Sequence, residues 1–348
     1  MTSTHPTLAD TRKNLTDLFA RTISYLRLSL TDRCNLRCMY CVSDKEPGGP
    51  PRLPHHKLLT YEELLRVVRV AVGLGIRKVR LTGGEPLVRR GVMGFIRRLG
   101  RIDGLSDVRI TTNGVLLAEH ARELFESGVT KVNISLDSLR PERVAAITGV
   151  DCFARVWQGI ETALAVGFAP VKINVVAMRH VNDDEILDFA RLTLRMPIQV
   201  RFIEFMPIGA SSRWSTETYI DSDAIMARLA AERPLVPQQR SGENDGPARV
   251  YRWGEGAIGS VGVISPLSHH FCDQCNRLRL TAAGALRSCL LHDDEIDLRF
   301  VLRAGPDDEP VRQALLAAIR NKPQGHQLKE RMGAGVFDCH GRMSRIGG

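Results

Sequence analysis

The sequence has few aromatic residues and no long apolar stretch. Phenylalanine, tryptophan and tyrosine make up 5% of the 348 residues, and no basic block is interleaved with them, so a stacking platform for single-stranded nucleic acid is not indicated. No run of about 18 apolar residues occurs, which excludes a hydrophobic membrane-spanning helix. Residues 1–10 also lack the apolar segment of a secretory signal. We therefore expect a cytoplasmic protein with no membrane or nucleic-acid partner.

What is present is an ordinary globular composition with an excess of positive charge. Apolar residues make up 43% of the chain, charged residues 25%, and the net charge is +9. The length is typical of about two domains. The charge favours an anionic partner, and by itself it does not choose between nucleic acid, a membrane surface and a phosphorylated small molecule.

Six of the eight cysteines form two tight groups, a pattern typical of metal ligands in a reducing compartment. The first group comprises Cys34, Cys38 and Cys41, in the run CNLRCMYC. Three thiolates are one ligand too few to close a four-ligand site, so an iron–sulfur cluster or metal ion held there keeps one coordination position open. Zinc is the alternative to iron, because cysteine-rich loops frequently hold it.

Short β-like runs alternate with helical patterns over the first two thirds of the chain, which predicts an α/β fold with a parallel sheet. The predicted strands are Ile23–Leu30, Lys78–Thr82, Val108–Thr112, Lys131–Asp137, Val171–Ala177 and Gln199–Phe205. The predicted helices are Tyr61–Gly73, Val92–Leu99, Leu116–Ser127, Phe153–Val166 and Asp183–Arg195. Two residue pairs have the spacing of helix capping boxes, namely Thr60 with Glu63 and Asn182 with Glu185.

Apolar and polar residues alternate along these strands, whereas strands of a parallel sheet are usually apolar on both faces. An antiparallel sheet with one solvent-exposed face also shows alternating apolar and polar residues. The helices between the strands favour a curved parallel sheet around a polar cavity. The predicted cavity cations are Arg27, Arg80, Lys172 and Arg201. A cavity of this kind suits a polyanion.

The C-terminal part of the chain is predicted to form a smaller domain. The stretch Pro234–Arg249 is predicted to be a linker or exposed loop, and Val250–Ile264 to form antiparallel strands. We therefore predict an N-terminal extension over residues 1–20, a main domain over 21–233 and a C-terminal domain over 234–348.

The second cysteine group lies in that C-terminal domain and comprises Cys272, Cys275 and Cys289. His292 is spaced to complete a zinc ribbon, and on spacing alone zinc is favoured. Because the first cysteine group is present, a second iron–sulfur cluster held by these three cysteines is the better interpretation. Arg277 and Arg279 share one face of a strand between these ligands, where two guanidiniums suit a phosphate or a purine edge. A solvated strand face is the alternative.

The run CNLRCMYC, followed one βα unit later by the turn TGGEP at residues 82–86, resembles the radical S-adenosylmethionine (SAM) superfamily. The resemblance implies an incomplete (βα)6 barrel and a smaller C-terminal α+β domain, each carrying a [4Fe–4S] cluster. It also implies that the open iron of the first cluster chelates SAM, which is cleaved to methionine and a 5′-deoxyadenosyl radical. The residues that it places around SAM are Tyr40, Gly84, Ser135 and Met206. Without it, Ser135 is an ordinary strand-end hydroxyl and Met206 a core residue.

Further motifs, among them RLTGGEPLVRR, NISLDSL, VRFIEFMPIG, FCDQCNRLRL and the terminal Gly-Gly, resemble the GTP-cyclising family of this superfamily, which acts in molybdenum cofactor biosynthesis. The resemblance implies conversion of GTP to (8S)-3′,8-cyclo-7,8-dihydroguanosine 5′-triphosphate, with guanine at the open iron of the second cluster. The implied GTP contacts are Arg27, Arg80, Thr111, Lys172, Arg277, Leu278 and Arg279, with Arg201 as an additional cation. The implied catalytic residues are Arg277, Arg279, Gly347 and Gly348.

The same resemblance implies partners, and two rival interpretations of the function remain. The implied partners are a reduced flavodoxin- or ferredoxin-like electron donor and a downstream cyclic pyranopterin monophosphate synthase, and the chain is expected to be a monomer or homodimer. One rival is another radical SAM enzyme with an auxiliary cluster, such as a peptide-modifying maturase, whose substrate does not require a basic interior. The other is a zinc-dependent nucleic-acid-binding module, which the positive charge permits.

Overall fold

The computed structural model describes residues 15–41, 52–208, 213–239, 246–326, 328 and 343–347. They form two compact units. The first unit contains the described residues of Met1–Arg33, Arg52–Val108 and Cys272–Gly348, and the second unit those of Cys34–Pro51 and Arg109–Phe271. Gly348, which the sequence implies to be catalytic, lies outside the described residues.

The strands, in chain order, are β1 (Tyr25–Ser29), β2 (Lys78–Thr82), β3 (Asp107–Thr112), β4 (Val129–Ser135), β5 (Val171–Ala177), β6 (Ile198–Glu204), β7 (Leu235–Pro237), β8 (Arg249–Trp253), β9 (Ser260–Ile264), β10 (Arg277–Leu280), β11 (Ala285–Arg287) and β12 (Glu295–Asp297). The helices are α1 (Tyr61–Leu74), α2 (Val92–Leu99), α3 (Leu117–Glu126), α4 (Pro141–Thr148), α5 (Phe153–Val166), α6 (Ile186–Leu192), α7 (Ser222–Glu232), α8 (Leu298–Ala304), α9 (Glu309–Arg320) and α10 (Met343–Ile346). None of the described helices combines the length and apolar character that crossing a bilayer requires.

The first unit is organised around β1. This strand pairs in parallel with β2 on one side and with β10 on the other, and β11 and β12 continue the sheet antiparallel beyond β10. One face of the three parallel strands is apolar and fully buried, with Leu26, Val79 and Leu278 in one row. The other face carries the polar residues of the alternating pattern, as the sequence predicts.

The second unit has β4, β5, β6 and β9 as parallel neighbours, followed antiparallel by β8 and β7. Strand β5 shows the alternation most clearly: its odd-numbered residues, such as Ile173, are buried, while Lys172 and Asn174 are half-buried. The antiparallel strands predicted within Val250–Ile264 are confirmed as β8 and β9. Strand β9 also pairs in parallel with β6.

The predicted strands and helices are confirmed with small shifts at their ends, and helices α4, α7, α8, α9 and α10 are additions that the sequence reading missed. The capping box at Thr60 and Glu63 is present in full. The second predicted box is wrong, because α6 begins at Ile186 and the Asn182 side chain instead bonds Met178 N, Asp137 O and Val176 O. The domain limits at residues 20 and 233 remain a prediction.

Candidate active site

The first cysteine group lies on a loop of the second unit that is held by its own backbone. The amides of Arg37 and Met39 donate to the carbonyls of Thr148 and Ile147, at 2.8 and 2.9 Å, at the end of α4. Within the loop, Cys41 N donates to Cys38 O at 2.8 Å. These hydrogen bonds fix the backbone conformation between the cysteines, and with it the positions from which their side chains extend.

The sulfur of Cys34 receives two donors, the amide of Leu36 at 3.4 Å and the Asn113 side-chain amide at 3.7 Å. Such N–H···S contacts stabilise a thiolate and are common around iron–sulfur ligands. Desolvation raises the pKa of the Cys38 thiol, and the neighbouring charges of Asp137, Cys41 and Cys34 raise it further. Thiolates that repel one another in this way are stabilised by a bound cation.

Tyr40 and Ser135, two of the predicted SAM residues, line one small cavity of the second unit together with Cys38 and Asp137. The Tyr40 hydroxyl donates to Asp137 Oδ2 at 2.7 Å, and Val176 N donates to Asp137 Oδ1 at 2.8 Å. Burial raises the pKa of Asp137 to about 6, although these two hydrogen bonds oppose the shift. Met206 is half-buried one residue beyond Phe205, whose ring lies edge-on to Tyr40 with 6.4 Å between centroids.

The fourth predicted SAM residue, Gly84, belongs to the first unit, where its turn packs backbone against backbone. Gly84 N donates to Thr31 O at 2.7 Å and Glu85 N donates to Arg33 O at 2.8 Å. A Cβ atom at Gly84 would lie 2.3 Å from Arg33 O. Only glycine fits here, so the turn is built against the segment that immediately precedes Cys34.

The first unit presents a concentrated group of cations on the polar face of β1, β2 and β10. The strand register places Arg279, Arg27 and Arg80 in one row, and Arg277, Tyr25 and Lys78 in the next. We call Arg27, Lys78, Arg80, Arg277 and Arg279 the cationic face. Two unit charges about 5 Å apart repel by roughly 3 kcal/mol at an effective dielectric constant of about 20. Lys78, Arg80 and Arg279 are buried and the other two are half-buried, which suits a site that is completed by an anion.

The charges of the cationic face are crowded enough to act on one another. Burial lowers the pKa of Arg27 to about 10, and the charges of Arg80 and Arg277 add to that shift, while Tyr25 opposes it. The pKa of Arg279 falls well below its usual range through burial and through Arg27 and Arg277. Arg287, next to Arg279 in register, forms ion pairs with Asp293 and Glu295.

The second cysteine group is in the first unit, directly before β10. Cys275 N donates to Cys272 O at 3.0 Å, and the sulfur of Cys289 accepts from Leu291 N at 3.5 Å. Burial opposes ionisation of Cys275, but Arg277 and Lys322 lower its pKa to about 6. His292, the fourth ligand of the zinc alternative, has its Nε2 3.3 Å from Gly325 O.

Two buried cations bind the backbone around this group. Lys322 Nζ donates to Arg277 O at 2.8 Å and to Ser288 O at 2.5 Å, so it joins the segments that carry Cys275 and Cys289. Arg21 donates to the carbonyl of Cys272 at 2.9 Å and is itself paired with Asp17. Each of the three cysteine-bearing segments is thus held by a side chain distant in sequence.

The C-terminal tail reaches the cationic face within the first unit. Arg279 Nη1 donates to Gly347 O at 2.7 Å in a buried contact. A Cβ atom at Gly347 would lie 2.5 Å from Thr82 Oγ1, and the φ angle of Gly347 is +77°. The penultimate glycine is therefore required by close packing and by its backbone conformation.

The remaining predicted GTP residues, Thr111, Lys172 and Arg201, are in the second unit. Lys172 lies between Asn133 and Gln199 in the strand register, and Arg201 lies beside Asn174. Arg201 Nη2 donates to Asn174 Oδ1 at 2.7 Å. Leu278, by contrast, is on the apolar face of β10 and is 1% exposed, so only its backbone is placed to meet a ligand.

Sequence reasoning missed several residues of these sites. Tyr25 and Lys78 could have been found, because each is two positions from a predicted cation on the same face. Asp137 could have been found in the same way, because it lies two positions after Ser135 on the polar face of the predicted strand. Asn113, Arg21 and Lys322 act through contacts distant in sequence, and no alternation of polar and apolar residues marks them.

The residues present fit iron–sulfur clusters and SAM. Two sets of three soft sulfur donors, with amides directed at Cys34 and Cys289, are the chemistry that iron–sulfur clusters use. Arg277 and Lys322 favour the thiolate of Cys275, the form that binds metal. Beside Cys38, the cavity with Tyr40 and Ser135 offers hydroxyl groups to a polar ligand.

Comparison with known proteins agrees with this chemistry. The Radical SAM superfamily model matches residues 28–193, and the model Molybdenum Cofactor Synthesis C matches residues 198–328. The crystal structure of Streptococcus suis SuiB bound to S-adenosylmethionine has a TM-score of 0.59 and 14% identity, covering 90% of this chain and 70% of that one. This likeness shows the fold alone. The chain is a radical SAM enzyme with an α/β fold.

Relatives that match nearly the whole chain define it more closely. A protein of Heliobacterium modesticaldum named GTP 3′,8-cyclase is 49% identical, over 95% of this chain and 99% of the relative. Proteins of the same name from Thermodesulfovibrio yellowstonii and Pelotomaculum thermopropionicum are 47% and 46% identical, over 89% and 95% of this chain and 94% and 99% of theirs. This chain belongs to the GTP 3′,8-cyclase family, whose cofactors are SAM and [4Fe–4S] clusters.

Proposed function

We propose that this chain converts GTP to (8S)-3′,8-cyclo-7,8-dihydroguanosine 5′-triphosphate, the first step of molybdenum cofactor biosynthesis. Family membership supports the reaction, and the cationic face is the single observation of structure that carries it. Five cations on three adjacent strands, three of them buried and two half-buried, match a triphosphate in charge and in the bidentate bonds that guanidiniums make to phosphate. A peptide substrate, as in the maturase alternative, does not call for them.

Cys34, Cys38 and Cys41 are proposed to hold the first [4Fe–4S] cluster, and Cys272, Cys275 and Cys289 the second. Each set leaves one iron without a protein ligand. When bound, the first cluster and SAM would supply a 5′-deoxyadenosyl radical for hydrogen removal at ribose C3′. Bonding of C3′ to guanine C8 would also require one electron, from the proposed reductant, and one proton. The chain's own residues bind and orient the substrates and exclude water from the reacting carbon.

Tyr40, Gly84, Ser135 and Met206 are proposed to bind SAM. The hydrogen bond from Tyr40 to Asp137 fixes the tyrosine ring beside the cysteine loop, and Ser135 faces the same cavity. Gly84 offers backbone groups, because the absence of a Cβ atom lets its turn lie against Thr31 and Arg33. These residues orient the ligand and take no part in bond breaking.

GTP is proposed to bind through Arg27, Arg80, Thr111, Lys172, Arg201, Arg277, Leu278 and Arg279. Charge–charge attraction and bidentate hydrogen bonds orient the triphosphate, while Arg277 and Arg279, next to the second cysteine group, serve the guanine end. The Gly347 carbonyl accepts a hydrogen bond from Arg279. Gly347 and Gly348 are proposed to be catalytic residues that close this end of the site. The partners proposed are a flavodoxin- or ferredoxin-like reductant and a cyclic pyranopterin monophosphate synthase that consumes the product.

The thiol ligand sets require a reducing compartment, which supports a cytoplasmic enzyme. We expect a monomer or a homodimer, and sedimentation of the loaded protein distinguishes the two. The predicted division into residues 1–20, 21–233 and 234–348 is kept as part of the proposal.

Anaerobic reconstitution tests the function directly. The full chain is loaded with iron and sulfide, reduced, and given SAM and GTP, and the cyclised nucleotide is identified by mass spectrometry. We expect about eight irons per chain, in line with two four-iron clusters, and one product molecule for each 5′-deoxyadenosine. SAM breakdown with GTP unchanged contradicts the proposal and favours the maturase alternative, and bound zinc without iron favours the nucleic-acid-binding module.

Replacing Lys322 with methionine is expected to impair the second cluster site. Methionine keeps the apolar stem but leaves the carbonyls of Arg277 and Ser288 without their charged donor, at a cost of about 3 kcal/mol. We expect a lower unfolding midpoint and iron content reduced from about eight towards about four. Lys322→Arg should recover part of the loss, and Lys57→Met, at an exposed lysine, is the matched control. Unchanged stability and full iron loading in Lys322→Met contradict this role.

A further inference from the structure

One further side chain on the polar side of β1, β2 and β10, beside the cationic face, can carry a negative charge. The polar positions of β1, β2 and β10 hold five cations, two hydroxyl residues and Tyr25. Tyr25 is 5% exposed and lies in register between Arg277 and Lys78. A phenol in such a position can stay neutral as a hydrogen-bond donor, or ionise and balance its neighbours.

The contacts of the phenol oxygen favour the second role. Arg80 Nε donates to the Tyr25 oxygen at 2.6 Å, and Arg27 also forms a side-chain hydrogen bond with it. Lys78 Nζ lies 4.1 Å from the centre of the ring. An oxygen that accepts from guanidiniums is stabilised in its ionised form.

Every strand packed beside Tyr25 contributes positive charge. Arg27 lies on its own strand, Lys78 and Arg80 on β2, and Arg277 and Arg279 on β10. Burial opposes ionisation, but the charges of Arg80, Arg27, Lys78 and Arg277 together lower the pKa of Tyr25 to about 7. The pKa values of Arg27 and Arg279 are lowered mainly by burial, and the charges of their neighbours add to that shift.

We propose that Tyr25 is the resident counter-anion of the triphosphate subsite: its phenolate balances the cationic face while GTP is absent, and it takes up one proton when GTP binds. The inference rests on the proposed function. Tyr25 is a positioning residue, since it acts on GTP through Arg80, Arg27 and Lys78. The proton comes from solvent and converts the phenolate to a phenol, while the triphosphate replaces the phenolate as partner of the cations.

The pH dependence of binding follows from the sign of the shift. Below about pH 7 the phenol is already protonated in the empty site, and GTP binds without further uptake. Above about pH 7, binding of GTP requires Tyr25 to take up one proton from solvent, so the affinity for GTP weakens about tenfold for each pH unit. The weakening stops where the phenol of the GTP-bound site also ionises, near the ordinary tyrosine value of about 10.

Calorimetry of the reconstituted protein tests the proposal without any substitution. Titrating GTP at pH 8 in buffers with different ionisation enthalpies gives the number of protons exchanged. We expect uptake of close to one proton per GTP at pH 8 and much less at pH 6. No proton uptake at pH 8, with GTP bound normally, overturns the proposal.

Substitution adds an independent readout. Tyr25→Phe keeps the ring beneath Lys78 and removes the oxygen, so we expect proton uptake to disappear and GTP to bind at pH 8 about tenfold more tightly than in the unsubstituted protein. Tyr61→Phe, a substitution at a half-buried tyrosine on α1 that stacks on Phe95, should leave uptake unchanged. Equally weakened binding at pH 6 and pH 8 in Tyr25→Phe indicates a neutral hydrogen-bonding role and contradicts the counter-anion.

Failure of this inference is distinct from failure of the proposed function. A chain that does not bind GTP at either pH refutes the triphosphate site itself. A chain that forms the cyclised nucleotide and binds GTP with no proton linkage retains its function, and only the counter-anion is lost.

Discussion

Replacing Cys38 with alanine is expected to reduce SAM cleavage to background. Two thiolates cannot hold a cubane that needs at least three protein ligands on this loop, and neighbouring backbone groups cannot substitute for a soft sulfur donor. The measurement is 5′-deoxyadenosine released under anaerobic reduction, with the iron content of the same sample. We expect about four irons to remain, held by the second cysteine group.

The matched control for this variant is Cys152→Ala. Cys152 is buried, whereas Cys38 is half-buried; the sulfur of Cys152 lies 3.8 Å from Thr148 Oγ1, and it is not one of the proposed ligands. We expect this variant to keep its iron and most of its SAM cleavage. Full 5′-deoxyadenosine production by Cys38→Ala would remove the basis for assigning the first cluster to this loop.

The parallel strands and the face that carries the cations could be predicted from sequence because their signals are local. Alternation along β1 and β2 places Arg27 and Arg80 on one face, and the register confirms them as neighbours. The position of β10 beside β1 could not be predicted in this way. Its pairing with β1 brings Arg279 beside Arg27 across some 250 residues of chain, and no periodic pattern reports such a distance.

Helix α4 shows where local signals were present but weak. It has proline in its first turn and Gly149 in the left-handed conformation at its end, both recognised boundary signals. At eight residues, and separated from α5 by a short turn, it is too brief for a clear apolar period. The omission matters for the site, because the carbonyls at the end of α4 hold the first cysteine loop.

The second predicted capping box failed for a different reason. Asn182 has the right spacing from Glu185, but tertiary contacts use both side chains elsewhere: Asn182 bonds three backbone groups, and the Glu185 carboxylate accepts from Ser138 Oγ and Leu139 N. A local motif predicts a cap only when no buried partner competes for the same atoms. The Glu63 carboxylate also accepts from Arg303, but that side chain is exposed, and the box at Thr60 forms.

Replacing Gly347 with alanine is expected to lower GTP conversion by about 100-fold while both clusters and SAM binding are retained. The added Cβ would lie 2.5 Å from Thr82 Oγ1, and a left-handed backbone costs a non-glycine residue about 1–2 kcal/mol. A 100-fold loss corresponds to about 2.7 kcal/mol, which strain and overlap together supply. Both costs arise only when the tail is docked. We therefore expect the substitution to break the hydrogen bond from Arg279 Nη1 to Gly347 O.

Matched variants separate this local effect from general destabilisation. Gly94→Ala, in the interior of α2 where an added Cβ has open space, should leave turnover unchanged and slightly raise stability. Adding Thr82→Ala to Gly347→Ala removes the nearest overlap but not the backbone strain, so we expect part of the activity to return relative to Thr82→Ala alone. Turnover is measured as cyclised nucleotide formed per chain in a fixed time, and 5′-deoxyadenosine is measured in the same sample. Wild-type turnover in Gly347→Ala would show that the docked tail has no part in the reaction, because the added methyl group cannot be accommodated without displacing it.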